Sequence, residues 1–223
     1  MKKLVLSILF AFVLGALVAA WIFLGSGTGF DQKTETLYIP SQGATKESVM
    51  DSLRANNIVS NTTAFSFLAD MLDYWEKIRP GRYEIKKGSS VLSIVRKLRN
   101  GAQDPVNLTI NKLRTKEDFA RVTGSKFEFD SLQMITFLNN GDSMQAYGTD
   151  TASVLWKVVP DTYSFLWSTS PAAVYKRLAA ESEKFWTEER EAKATSIGLS
   201  PKETYILASI IEEETTNHKE KDT

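Results

Sequence analysis

Residues 81–101, GRYEIKKGSSVLSIVRKLRNG, carry a strand, a helix and the signals that bound both. Arg82 to Lys86 alternates like a strand and stops at Lys87-Gly88. Ser89 or Ser90 is placed to cap a helix whose Leu92, Val95 and Leu98 face inward, and Asn100-Gly101 ends it. Pro80-Gly81 makes the turn on the other side.

Working toward the N-terminus, LYIP (37–40) reads as a short strand closed by Pro40. Thr45 caps a helix to about Asn56, with Val49 and Leu53 on one face. A second helix opens at Thr62 or Thr63, with Phe65, Leu68, Met71, Leu72 and Trp75 at helical spacing. Toward the C-terminus, Val106–Ile110 (VNLTI) alternates like a half-buried strand. Residues 36–110 therefore read β-α-α-β-α-β, with the first two strands paired and the helices on one face.

From Lys112 the pattern is mainly helical, which makes the chain an α+β protein. Short helices are expected at Thr115–Val122 and after the cap Asp130, the latter with Leu132, Ile135 and Leu138 inward until Asn139-Asn140-Gly141. Leu155–Phe165 reads as irregular, with Pro160-Asp161 as a turn. Ser170-Pro171 opens one long helix to about Thr195, striped by Val174, Leu178 and Phe185. Gly198 breaks the chain. Ser200-Pro201-Lys202-Glu203 is a capping box for a last helix through TYILASIIEEET.

At the N-terminus, Leu4–Leu24 holds no charge. At about 1.5 Å per residue it extends about 31 Å, the thickness of a bilayer's hydrocarbon core. Lys2 and Lys3 precede it, and GSGTGFDQKTE after it is not rich in Lys or Arg, so Met1 is expected in the cytoplasm and the bulk outside. The run is longer than the apolar part of a signal peptide, which favours an uncleaved anchor. Residues 1–24 are thus read as cytoplasmic tip and transmembrane anchor. Residues 25–35, rich in Gly and Ser, read as a flexible linker with a reach of roughly 16–19 Å.

Composition narrows the function. Cysteine is absent and His218 is the single histidine. Thiol catalysis, a lipid-bearing cysteine, a His-based metal site and a Ser-His triad are set aside, and no cofactor is implied. Lys plus Arg equals Asp plus Glu, 27 each, so no basic excess exists to neutralise nucleic acid. Chemistry concentrates where Glu212, Glu213 and Glu214 follow the apolar Ile206, Leu207, Ile210 and Ile211, which are expected to bury the body of that helix. Burial, like charges and the negative end of the helix dipole would each raise a carboxyl pKa, as a general acid requires. Spacing alone favours a solvated helix end for the three glutamates, and a turn residue and a packing residue for Asp161 and Tyr163.

Four pieces occur in the order found in the MltG (YceG-like) family of bacterial endolytic murein transglycosylases: the anchor, residues 81–101 (resembling its LysM-like segment), PDTYSF (160–165) and LASIIEEET (207–215). This resemblance implies a LysM-like glycan-binding subdomain at 36–110 and a catalytic domain from 111. The family's domain continues past this motif, so 111–223 is expected to be its N-terminal portion only. The catalytic glutamate falls on Glu212, and Asp161, Tyr163, Glu214 and Thr215 match as supporting residues. Glu213 stands where the family often has Lys. The implied activity is lytic cleavage of nascent peptidoglycan strands at the bacterial cytoplasmic membrane, leaving 1,6-anhydro-muramyl ends, beside cell-wall synthesis proteins. A membrane-tethered glycan-binding module or a scaffold in cell-wall synthesis is the alternative.

Overall fold

The computed structural model describes residues 2–214; at positions 2, 16, 18–20, 22 and 213 the side chains lie outside the description. The chain divides into two units, one running to Val106 and taking in Leu166–Ser168, the other made of Asn107–Phe165 and the chain from Thr169.

In the first unit, helix α1 (Lys2–Leu24) covers the expected anchor. Its side chains are described without a break only over 3–15, and among the described residues no helix is long and apolar enough to cross a membrane. Strand β1 (Thr34–Ile39) begins three residues before the expected LYIP, and helix α2 (Lys46–Ala55) is capped by Thr45 in a box with Ser48. Helix α3 (Thr62–Met71) is capped by Asn61. It stops before Trp75, because Asp73 takes φ +52° and turns the chain into a 3-10 turn at Trp75–Lys77. Strand β2 (Gly81–Lys86) lies antiparallel to β1, with Leu37 opposite Tyr83 and Glu35 opposite Ile85. Helix α4 (Val91–Asn100) is capped by Ser90 and closed by Gly101 in the left-handed region. Leu37, Ile39, Leu53, Phe65, Tyr83, Val95 and Leu98 meet in the core between sheet and helices.

The expected flexible linker is a packed seam. The Gly27 N–H donates to Ser89 O at 2.9 Å, Ser60 N–H donates to Gly27 O at 2.9 Å, and Thr28 forms a bridge with Val59. Phe30 enters the core. The glycines serve close approach here: a Cβ on Gly27 would stand 2.5 Å from Val91 Cγ2 and 2.7 Å from its backbone nitrogen.

Strand β3 (Val106–Ile110), of which all but Val106 belongs to the second unit, leads there to helix α5 (Lys116–Gly124), capped by Thr115, and helix α6 (Ser131–Leu138), capped by Asp130. Met134 and Leu138 face inward, while Leu132, expected inside, is 70% exposed. The Asn140-Gly141 stop is itself the start of a short helix, α7 (Gly141–Gln145), because Asn140 caps it. Residues 155–165, expected to be irregular, hold a 3-10 turn (Val154–Lys157) and strand β4 (Asp161–Phe165), which pairs with β3. The expected long helix is two: α8 (Pro171–Phe185) and α9 (Glu188–Ser196), since Trp186 leaves helical geometry and Thr187 caps afresh. Helix α10 (Pro201–Glu214) closes the described chain. Val174, Tyr175 and Leu178 of α8 lie in the core of this unit with Phe119 and Met134, and Tyr175 Oη donates to Val154 O at 2.7 Å.

Candidate active-site cleft

Helix α10 starts from the expected capping box. Ser200 N–H donates to Glu203 Oε2 at 2.8 Å, and Glu203 N–H donates to Ser200 Oγ at 3.3 Å. Lys202 Nζ reaches Asp150 Oδ2 at 3.2 Å. Tyr205 Oη donates to Val158 O at 3.2 Å, and burial raises the Tyr205 hydroxyl above its ordinary pKa.

Tyr205, Ala208, Ser209 and Glu212 stand at i, i+3, i+4 and i+7, so one helical face presents all four. That face walls a cleft of about 600 Å³. Asn111, Lys112, Leu113 and Arg114 of the loop after β3, Val159 and Pro160 before β4, and Phe185 at the end of α8 complete it. A second hollow of about 390 Å³ shares Leu113, Arg114, Tyr205 and Ser209 with the first, so the two adjoin along α10. Glu212 is the sole carboxylate among the described residues lining the larger cleft.

The expected burial of α10 is reversed. Ile206, Leu207, Ile210 and Ile211 are 42%, 45%, 52% and 41% exposed. They sit on the sides of the helix turned away from Tyr205 and Glu212, and Ile206 borders the second hollow. Glu212 lines the cleft and is exposed. The desolvation that the sequence assigned to it is therefore not supplied by the packing of α10.

The other expected residues fall in different places. Asp161 begins β4, is exposed, and accepts the Thr162 N–H at 2.6 Å. Tyr163 is buried, donates to Val159 O at 2.7 Å, and has its hydroxyl pushed up to about 12, chiefly by burial and then by the Asp161 charge. Neither lines the cleft, although Tyr163 holds the carbonyl of Val159, which does. Glu214 is exposed at the end of α10, and Thr215 and His218 lie outside the described residues. Among the described residues no three His, Asp or Glu side chains converge as a metal-binding group.

Tyr205, Ser209, Lys112 and Arg114 were not singled out in the sequence, and Phe185, expected in the apolar stripe of the long helix, is 38% exposed and lines the cleft instead. The helical spacing back from Glu212 carries a signal for the first two. Nothing local marks Lys112 and Arg114, which reach the cleft only through the fold.

Comparison with known proteins places the chain. No curated protein matches it. Solved structures that match include a crystallised yceG-like protein from Listeria monocytogenes, at 18% identity and a TM-score of 0.46. The match covers 84% of this chain and 66% of that one, so the chain spans less than two thirds of that protein's length. The profile of the YceG-like family matches residues 37–223, a range that takes in the last three residues of β1, strands β2 to β4 and the glutamate cleft. The chain belongs to the YceG-like family.

Proposed function

We propose that this chain is a lytic transglycosylase of peptidoglycan, with Glu212 as its single general acid and base. Family membership links it to murein and to transglycosylase-type chemistry at the level of the family. The observation that carries the finer reading is the place of Glu212: one carboxylate in a cleft whose walls also offer the aromatic faces of Tyr205 and Phe185.

One carboxylate suffices for this reaction and not for the usual hydrolysis, which takes two carboxyl groups, one of them to handle water or form a covalent adduct. Glu212 as acid gives its proton to the glycosidic oxygen as the C1–O bond breaks. As carboxylate it then takes the proton of the sugar's own C6 hydroxyl, whose oxygen closes on C1. The product is a 1,6-anhydro ring, the leaving strand carries the first proton, and Glu212 ends protonated as it began. Ring closure is intramolecular, so orientation supplies much of the rate. The rings of Tyr205 and Phe185 suit the apolar face of a pyranose.

On this reading α1 is a single-pass anchor in a bacterial cytoplasmic membrane, with the N-terminus in the cytoplasm. The uncharged run Leu4–Leu24 behind Lys2 and Lys3 supports it. The substrate is then newly made glycan near that membrane, with cell-wall synthesis proteins as neighbours. The unit built on β1, β2 and α2–α4 is the glycan-binding part.

The test is digestion of purified glycan strands, read by mass spectrometry. Wild type should yield anhydro-muramyl ends and Glu212→Gln none. A wild type that binds peptidoglycan without producing such ends would instead favour the tethered binding module.

A further inference from the structure

Helix α3 is apolar on more than its inner face. Ala64, Phe65, Leu68 and Ala69 are buried, yet Phe67 and Met71, one turn apart, are 53% and 61% exposed. Single exposed apolar side chains are ordinary. These two differ because they continue the surface of α1. Phe23, near the end of α1, stacks on Phe67 with ring centroids 5.9 Å apart and planes 22° apart. Phe23 also packs against the core of this unit. The seam at Gly27, Thr28 and Phe30 leaves no free linker between them. Trp21 and Leu24, beside Phe23, are 78% and 63% exposed.

We propose that the α3 face carrying Phe67 and Met71 rests in the headgroup layer of the bilayer, as a second membrane contact beside α1. The inference rests on α1 being an anchor. If it is, the stack on Phe23 puts Phe67 at the depth of the helix end, where aromatic side chains favour the interface. Met71 follows one turn along the same exposed face. The nearest charge on α3, Asp70, is held by Lys46 at 2.9 Å, which eases its approach to the lipid surface. The unit is thereby held in one orientation on the membrane rather than swinging on a tether.

The chain has no cysteine, so single reporters can be placed without background. Met71→Cys, Asp51→Cys and Val13→Cys, each carrying an NBD fluorophore, would be reconstituted in full-length protein in vesicles of phosphatidylethanolamine and phosphatidylglycerol. Quenching by nitroxide-bearing phospholipid and by aqueous iodide is then read. Asp51 is an exposed site of the same unit, its side chain 75% accessible, and Val13 lies within α1. The expected result is lipid quenching at 71 and 13, with iodide quenching at 71 about threefold weaker than at 51. Equal iodide quenching at 71 and 51, with 13 still lipid-quenched, overturns the proposal and leaves the anchor intact. Iodide access at 13 overturns the anchor and the proposal together.

Discussion

The backbone N–H of Gly27 donates to the carbonyl of Ser89 at 2.9 Å, joining the chain just after α1 to the turn before α4. The contact is close enough that a methyl group on Gly27 would stand 2.7 Å from the Val91 nitrogen, nearer than packed atoms come. Gly27→Ala should therefore force the seam apart. Overpacking of this kind costs about 1–3 kcal/mol, and at roughly 2–4 °C per kcal/mol for a chain of this size the melting temperature should drop visibly. Gly15, with nothing within 4 Å of its Cβ position, is the control. Thermal melts in detergent micelles read both, and equal melting of Gly27→Ala and wild type would mean that the seam is loose.

Tyr163 belongs to the PDTYSF motif, but its ring is in the core and its hydroxyl is held by Val159 O at 2.7 Å. With that hydroxyl pushed up to about 12, it stays protonated at neutral pH. Tyr163→Phe should cost about 1 kcal/mol of stability, the worth of one hydrogen bond. It should leave the yield of anhydro ends within a few-fold of wild type. A loss as deep as that of Glu212→Gln, in a variant that melts normally, would give Tyr163 a direct part in the reaction.

The starts of α2, α4, α5, α6 and α10 were legible because capping is local. Thr45, Ser90, Thr115, Asp130 and Ser200 each accept from, or box with, a residue three positions on, and the sequence shows both partners. Strand β4 was not legible, because its reason for being extended is β3, more than fifty residues earlier, with Thr162 Oγ1 3.1 Å from Thr109 Oγ1. The break at Trp186 has no Gly or Pro to announce it. The seam at 25–31 was misread because glycine looks the same in sequence whether it serves freedom or close approach. For the site, Glu212 was found through the resemblance of its motif. The apolar residues before it suggested a buried helix, whereas the face turned to the cleft is the mixed one with Tyr205. A hydrophobic run shows that a surface is apolar, and only the tertiary fold shows what meets it.

Asp150 provides a pH signature. The Ser153 hydroxyl and Lys202 ammonium hold its carboxyl down to about 2. In the unfolded chain it titrates near about 4. A group depressed on folding contributes above the unfolded value and loses that contribution as pH falls through the folded one. Wild type should therefore lose melting temperature between about pH 4 and 2 more steeply than Asp150→Asn. The difference should be small, because the pair is exposed and screened by salt. Parallel slopes for the two proteins would show that the Lys202–Asp150 contact at the base of α10 does not persist in solution.

The hydrogen bond from Tyr205 to Val158 ties the two walls of the cleft together. Tyr205 is on α10 one face with Glu212, and Val158 leads directly into Val159 and Pro160 opposite. Tyr205→Phe keeps the ring in place for sugar contact and removes only that tie. The stability cost should be about 1 kcal/mol. The catalytic cost should be larger, because displacing a reacting group by a fraction of an ångström to an ångström can lower a rate by about tenfold to a hundredfold. The expected result is thus a fall in the rate of anhydro-end formation with unchanged far-UV circular dichroism. The pH–rate profile should keep its wild-type shape, since burial raises the Tyr205 hydroxyl and keeps it protonated at neutral pH. If the alkaline limb moved in Tyr205→Phe, the hydroxyl would be acting on the proton inventory of the reaction, and Tyr205 would be more than a strut. If the rate did not fall at all, the position of α10 would be set by other contacts, and the tie to Val158 would have no part in presenting Glu212.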